Sequence, residues 1–457
     1  MNFVNRTNFS ALALGIAGVL AMGQAQASGF QLREASVKNL GRSNAGSAVF
    51  NDDATAVTGN PAAMSSFDKT TVRADVTVID LSFQVNATGT AASAFGPAAP
   101  ALTGGDGGDA GDVTPVPNIS AVFPLSGALE GLTIGASIGA PFGLKTEYED
   151  GWVGRYHALK SEVKTVDLTL SASLKLHDRL SVGGGFIYER AEATLTKAID
   201  FGTALCAGSG NPLNCFNPAF PFHPQGADGA IRVDGDDTGI GWLAGVQWQP
   251  IDALTIGYSH RSEIDQEIEG DLDFTLPGSV QAALGPSAAA FADGPGGANL
   301  TTPTIDTVSV RYDFNDDVRV LADWQRTGWD SLRTVDVRRS NGASLGAEDF
   351  NWSDSDFWSL GAEWDLSEAF TLRGGYAQDE TPTNDLTRTP RLPDNDRTLY
   401  SIGLTWQVSE AFSVDAAYQR IEVDNPRLDV VSSSGSRLVG EAEGSANLFG
   451  VAGQYKF

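Results

Sequence analysis

Three sets of residues in this chain have types and spacings that could do chemistry: the histidines, a cysteine pair, and stretches rich in glycine and carboxylates. A hydrolase would set a Ser or Thr nucleophile beside a His and an orienting partner. His157 and His223 fall in polar connections, His177 in a tight turn, and His260 where an alternating segment breaks, with no Ser-containing motif near any of them. No catalytic residue is assigned and no enzyme is expected. Cys206 and Cys215 lie close together in a Gly/Pro/Asn-rich stretch. In an oxidising envelope the pair predicts one loop-local disulfide, with two unpaired thiols as the alternative. A metal site would need more ligands than His223 adds, so no metal and no cofactor are expected. Gly/Asp runs bind calcium when several copies stack. Gly104 to Asp112 is a single stretch and reads as a flexible acidic loop, as does Asp234-Gly235-Asp236-Asp237. No G-x-x-x-x-G-K-[ST] loop is visible, which argues against nucleotide-driven work.

The elements that would position any such residues are strands. Glycine is abundant, at 52 residues, and mean hydropathy is −0.12 although 42% of residues are hydrophobic. That mixture suits strands that show lipid an apolar face and water a polar one. The formal net charge of −27 argues against nucleic-acid binding, because phosphate backbones would be repelled. Residues 1–27 read as a signal peptide: Arg6, an apolar core from Ala11 to Met22, and Ala25-Gln26-Ala27 as the cleavage site. No later apolar stretch is long enough to span a bilayer as a helix. A membrane location then requires a closed barrel, since every backbone group in lipid must be paired.

Period-two alternation dominates after residue 70. From Leu254 to Phe274, Leu254, Ile256, Tyr258, Ile264, Ile268, Leu272 and Phe274 share one parity, while Thr255, Ser259 and a run of carboxylates share the other. Similar stripes run through 166–176, 240–248 and 400–408. Short turns near 126–131, 177–179, 249–253, 314–317, 366–369 and 408–411 alternate with long connections near 88–112, 149–161, 199–236, 274–302, 341–353, 381–395 and 426–444. Six short and seven long connections imply fourteen antiparallel strands. Short periplasmic turns and longer external loops are the rule of bacterial barrels, which puts both chain ends in the periplasm. The last strand ends on Phe457, whose terminal aromatic resembles the signal read by the outer-membrane assembly machinery.

Residues 28–69 break the pattern. They are rich in Gly, Ala, Ser and Asn, a composition open to either a disordered tail or a compact plug in the lumen. Here Ser28-Gly29-Phe30-Gln31-Leu32-Arg33-Glu34, Gly41-Arg42-Ser43, Asp52-Asp53-Ala54 and Asn60-Pro61-Ala62 resemble the mature start of the FadL family of outer-membrane long-chain fatty acid transporters. Gly135-Ala136-Ser137-Ile138, Phe142-Gly143-Leu144 and Thr146-Glu147-Tyr148 are similar to that family's third strand, and Asp379-Glu380-Thr381-Pro382 with Leu392-Pro393-Asp394-Asn395-Asp396-Arg397 to its loop before the twelfth. The resemblance spans nearly all of the mature chain. It implies an all-β, fourteen-stranded barrel in residues 70–457 with a hatch in 28–69, resident as a monomer in the bacterial outer membrane among lipid and lipopolysaccharide.

It also implies passive uptake of long-chain fatty acid, leaving sideways through a kink in the third strand. Pro141 cannot donate a ladder hydrogen bond, and Gly139 and Gly143 weaken the strand around it. The residues implied in binding and transport are Phe30, Asn60, Pro61, Ala62, Pro141, Phe142 and Gly143, with Asn60-Pro61-Ala62 facing the kink. The family's basic pocket residues are not kept in place, which leaves Arg190 and Lys197 as candidate partners for a carboxylate. Uptake of an uncharged aromatic or aliphatic hydrocarbon by the same route is the alternative. A general porin or an adhesin is the rival from another class, though open porins usually need about sixteen or more strands.

Overall fold

A computed structural model describes residues 29–49, 52–91, 95 and 98–457; the expected signal peptide at 1–27 lies outside the described residues. Alternation produces one closed antiparallel sheet of fourteen strands. They are β1 (Thr71–Thr90), β2 (Val113–Pro124), β3 (Leu132–Gly139 and Gly143–Glu147), β4 (Lys160–His177), β5 (Leu180–Asp200) and β6 (Asp228–Ile251). Next come β7 (Leu254–Arg261 and Ile264–Thr275), β8 (Gly294–Thr302 and Ile305–Asp313), β9 (Val318–Thr327 and Thr334–Arg339) and β10 (Ser344–Asp349 and Ser355–Ser367). The wall is completed by β11 (Phe370–Asp379), β12 (Arg397–Gln407), β13 (Phe412–Val423 and Arg427–Val431) and β14 (Arg437–Lys456). β14 pairs β1 from Thr71–Lys456 to Thr90–Arg437 and closes the ring, so no edge strand is left.

The two faces differ as lipid and lumen demand. On β4, Leu168, Leu170, Leu174 and Leu176 are exposed, while Asp167, Thr169, Ser171 and Ser173 are buried. On β10 the lipid-facing band runs from Trp358 through Leu360 to Trp364 and Leu366. All six short turns fall where the sequence puts them. Several long connections are shorter than expected, because strand pairing continues past the membrane: β6 begins at Asp228, β8 at Gly294, and β9 and β10 are joined by residues 340–343; the connection between β11 and β12 keeps its length. Hydrated strands stay paired because the ladder does not depend on lipid.

β7 corrects a simpler reading of its alternation. Between the pairs Leu243–Arg261 and Asp236–Glu269, β7 carries one residue more than β6. This bulge swaps the faces. Below it Tyr258 is exposed and Thr255 buried; above it Ile264, Ile268 and Leu272 are buried and the carboxylates Asp265, Glu267 and Glu269 face out. The apolar stripe therefore lines the lumen in the outer half of the strand.

The polar lumen is filled by residues 29–49 and 52–67, which hold two one-turn helices, Val37–Leu40 and Ala56–Gly59, and a 3-10 turn, Pro61–Ser66. This segment bonds to strands around the circumference. Val37 N donates to Asp75 (2.9 Å), Ala48 N to Ser309 (2.8 Å), Ser47 N to Asp323 (2.9 Å) and Ala54 N to Gln454 (3.2 Å). In return, Ser171 donates to the Val57 carbonyl (2.8 Å) and Ser173 to that of Ala62 (3.0 Å). Arg73, fully buried, joins Asp75 (2.8 Å), Asp415 (2.6 Å) and Asp53 (3.3 Å), while Arg42 pairs with Glu363. Buried charges of this kind hold together only as complete networks, since removing one partner strands the other.

Candidate functional site

The break in β3 is real and it is covered from inside. Gly139 pairs with Asp167 and Gly143 with Lys164, so four steps on β3 span three on β4. Residues 140–142 lose the regular register, although the Phe142 carbonyl still accepts from Thr165 N on β4 (3.1 Å), and the N-terminal segment pairs alongside them: Leu32 N donates to the Pro141 carbonyl (2.8 Å) and Gly143 N to the Phe30 carbonyl (2.7 Å). Gln31 and Phe142 form an isolated antiparallel bridge. On the other side, β2 pairs with β3 only from Ile119–Ile138 to Pro124–Thr133; Val113 to Asn118 have no backbone pairing with β3, although Ser137 Oγ donates to Asn118 Oδ1 (3.3 Å). Pro115 and Pro117 lie on this free stretch, where a missing N–H costs least. A slot in the wall thus lies between β2 and the broken end of β3.

Inside the slot is a cavity of about 170 Å³ bordered by Asn118, Gly139, Ala140, Pro141, Leu32 and Arg261. Nearer the outside is a second cavity of about 560 Å³, within the usual range for small-molecule sites. Its wall is largely apolar and includes Leu144, Val163, Leu195, Ile231, Ile268, Leu300, Val335 and Val430. Phe30 lines this outer cavity, while its neighbours Gln31 and Leu32 line the inner one. The Phe30 ring packs on Trp329 (4.7 Å between centroids), Phe142 (5.8 Å) and Trp352 (5.9 Å). This aromatic plug separates the two spaces. Its tightness requires Gly29, whose φ is +59° and where a Cβ would stand 2.8 Å from the Trp329 ring.

Cationic groups enter the outer cavity from two directions. Lys197 on β5 donates to Ser433 (3.0 Å) and makes no ion pair among the described residues. Arg391, from the loop before β12, donates to Ser161 (3.0 Å) and pairs with Glu348 (2.9 Å). His157 also lines the cavity; burial, helped by nearby Arg391, pushes its pKa down to about 4, so it is neutral at pH 7. The positive charge available to a ligand comes from Lys197 and Arg391.

The expected site residues divide. Phe30, Pro141, Phe142, Gly143 and Lys197 stand at the cavities or the kink. Arg190 does not: it is exposed and pairs with Glu192 and Asp236 (both 3.2 Å). Seven positions separate it from Lys197, an odd step that puts the two on opposite faces of one strand. Asn60-Pro61-Ala62 packs elsewhere than expected. Asn60 donates to the Ala48 (2.8 Å) and Val246 (3.1 Å) carbonyls, and Pro61-Ala62 presses on Gly183 so closely that a Cβ there would lie 2.5 Å from Ala62 N. The kink is met by Phe30 to Leu32 instead, although Thr58 and Gly59 border the inner cavity. Arg391, Trp329, Trp352, Pro115 and Pro117 were not anticipated; for Arg391 the adjoining Leu392 to Arg397 block was the available signal. Cys206 and Cys215 form a disulfide (Cα–Cα 5.0 Å) in the connection between β5 and β6, away from both cavities.

A closed fourteen-strand barrel with a filled lumen, an apolar cavity and a slotted wall has the architecture of a plugged transport barrel. Residues 18–457 match the family model for outer membrane protein transport proteins (OMPP1/FadL/TodX), and the chain belongs to that family. It is an outer-membrane protein. It is 28% identical over 407 residues to outer membrane protein P1 of Haemophilus influenzae, covering 85% of each chain. It is also 28% identical over 414 residues to the long-chain fatty acid transport protein of Escherichia coli, covering 86% of each. The crystal structure of a Pseudomonas aeruginosa FadL homologue superposes with a TM-score of 0.84 at 26% identity, covering 94% of this chain and 99% of that one.

Proposed function

We propose that this barrel imports long-chain fatty acids passively: the alkyl chain occupies the outer cavity, Lys197 and Arg391 hold the carboxylate, and exit is sideways through the slot between β2 and β3. The observation that carries the proposal is the joint at Phe30 to Leu32. One short segment closes the passage between the two cavities with an aromatic ring and patches the broken strand with its backbone. Residues 28–69 then act as the hatch, and moving Phe30 to Leu32 opens the passage and the wall together. Each methylene buried from water contributes about 0.8 kcal/mol, enough to draw an alkyl chain from the aqueous side without nucleotide. Direction comes from removal of the product downstream. Insertion uses the C-terminal signal ending at Phe457, and the barrel works as a monomer.

Uptake of labelled oleate and of labelled toluene by a deletion strain, with and without this gene, tests the reading. Gene-dependent oleate entry supports it. Gene-dependent toluene entry alone moves the cargo to uncharged hydrocarbons, and no change for either removes the transport reading.

A further inference from the structure

The wall has a second break, far from the kink. β8 and β9 pair regularly up to Ile305–Thr327, and Gly328 N still donates to the Thr304 carbonyl (2.9 Å). Pairing resumes only at Gly297–Arg338 and Gly296–Arg339, at the top of the wall. Between these points β9 turns aside through the 3-10 turn Trp329–Ser331 and then pairs with β10, while β8 stays with β7. The stretch from Ala298 to Leu300 therefore faces β9 across an unladdered opening, below which Ser331 Oγ reaches the Thr301 carbonyl (3.5 Å).

Space lies on both sides of that opening. Outside is a cavity of about 700 Å³ rimmed by Glu267, Glu269, Asp336, Arg338 and Arg339. Inside is the apolar ligand cavity, to which Leu300, Val335 and Val337 contribute. Ile268, Gly297, Ala298 and Asn299 border both spaces. The stretch above the opening, Pro295-Gly296-Gly297, is closed by its bonds to β9, so the way through lies below it, beside the small side chain of Ala298.

Depth separates this opening from the slot at β3. Trp324 and Trp358, with ring centroids 6.1 Å apart, lie at the outer end of the lipid-facing band. Gly328 is four residues further along β9, about 13 Å along the strand and about 10 Å in depth at a tilt of about 40°. The opening thus sits above the hydrocarbon, at the level of lipopolysaccharide head groups. Unpaired backbone is tolerated there because water can satisfy it.

We propose that the gap between β8 and β9 is a lateral entrance through which a single-chain amphiphile passes from the lipopolysaccharide layer into the outer cavity. This inference rests on the proposed use of that cavity and adds the route into it. The polar rim meets the head-group layer, and the alkyl chain slides past Ala298 onto Leu300, Val335 and Val337.

Thr334, exposed on β9, borders the outside space and not the ligand cavity, and it provides the test. Thr334→Cys is labelled with a bulky maleimide, and stopped-flow binding of a dansyl-labelled C11 fatty acid is followed in nanodiscs. Asn341→Cys, labelled at the tip of the β9–β10 hairpin, is the control. An entrance predicts that the label slows association and dissociation together, by at least about tenfold, and leaves Kd unchanged, since blocking a route alters rates and not end states. Thr334→Trp, which crowds the gap without a label, should act the same way. Unchanged rates in both blocked variants overturn the entrance, as does a change confined to Kd, which would mark this rim as a mere contact. If the unmodified protein does not bind the probe at all, the cavity assignment itself falls.

Discussion

Phe30→Ala should loosen the joint between the N-terminal segment and the broken strand without unfolding the barrel. The ring is 3% exposed and packs against three aromatic rings. Truncating a buried Phe costs about 3–5 kcal/mol when the surroundings cannot collapse into the space. Collapse is restricted here, because Trp329 and Trp352 are themselves held against the wall. The loss falls on docking of residues 29–33, since the barrel ladder does not pass through Phe30. Amide exchange reads it directly. Leu32 N and Gly143 N are the donors that bridge segment and wall, and their exchange should accelerate about 10²- to 10⁴-fold, the range given by 1.4 kcal/mol per decade. Amides of β4 and β5 should keep their protection. Phe30→Leu, closer in volume, should produce less than about a tenfold change. Unchanged exchange at Leu32 and Gly143 in folded Phe30→Ala would refute the idea that the ring latches the segment. Acceleration across the whole barrel would refute the claim that the effect is local.

Two further perturbations follow from the charges. Lys197→Gln and Arg391→Gln should each weaken oleate binding by about 1.5–3 kcal/mol, roughly ten- to 150-fold in Kd, and leave entry of an uncharged hydrocarbon alone; equal loss for both ligands in titration calorimetry and uptake would argue for a packing role. Glu34 in the luminal segment is held protonated by burial, its pKa pushed up to about 7, with Arg33 working weakly against this. A carboxyl raised in the docked state stabilises docking fully below its ordinary pKa near 4.5 and loses that contribution as pH rises through 7, on the order of 3 kcal/mol. Protection of amides 32–40, corrected for intrinsic exchange, should therefore fall by up to about a hundredfold from pH 5 to pH 8, and Glu34→Gln should flatten the profile; a wild-type profile that is flat or rises removes Glu34 from the latch.

The barrel was legible because its signals are local and repeated. Each short turn carries its own Asp, Asn, Ser or Gly, and each lipid-facing stripe is visible in a window of ten residues. Loop lengths were harder, because strands such as β6 from Asp228 to Asp236 continue in water with Gly and Asp, residues that read as loop. The site was legible where one residue type forces a conformation, as Pro141 between Gly139 and Gly143 does. It was obscure where partners come from distant parts of the chain. Phe30 meets Trp329 and Trp352 across the whole barrel, and nothing near Arg391 in sequence shows that it turns into the same space as Lys197. Parity alone should have separated Arg190 from Lys197. The bulge in β7, which turns Ile268 inward, needed the register with β6 to be seen.

The lateral exit is tested most directly by stitching the slot shut. Gly139 is the last residue of β3 before the break, and a Cβ built on it lies 3.7 Å from the Asn118 Cβ across the gap, within the span a disulfide needs. The double variant Gly139→Cys with Asn118→Cys should form that bond. Oleate uptake is then measured in cells carrying the oxidised protein, before and after reduction, with each single variant as control for reduction of Cys206–Cys215. Lateral exit predicts uptake at the level of the deletion strain when the bond is closed and recovery when it is reduced. Full uptake through a completely cross-linked barrel would contradict it.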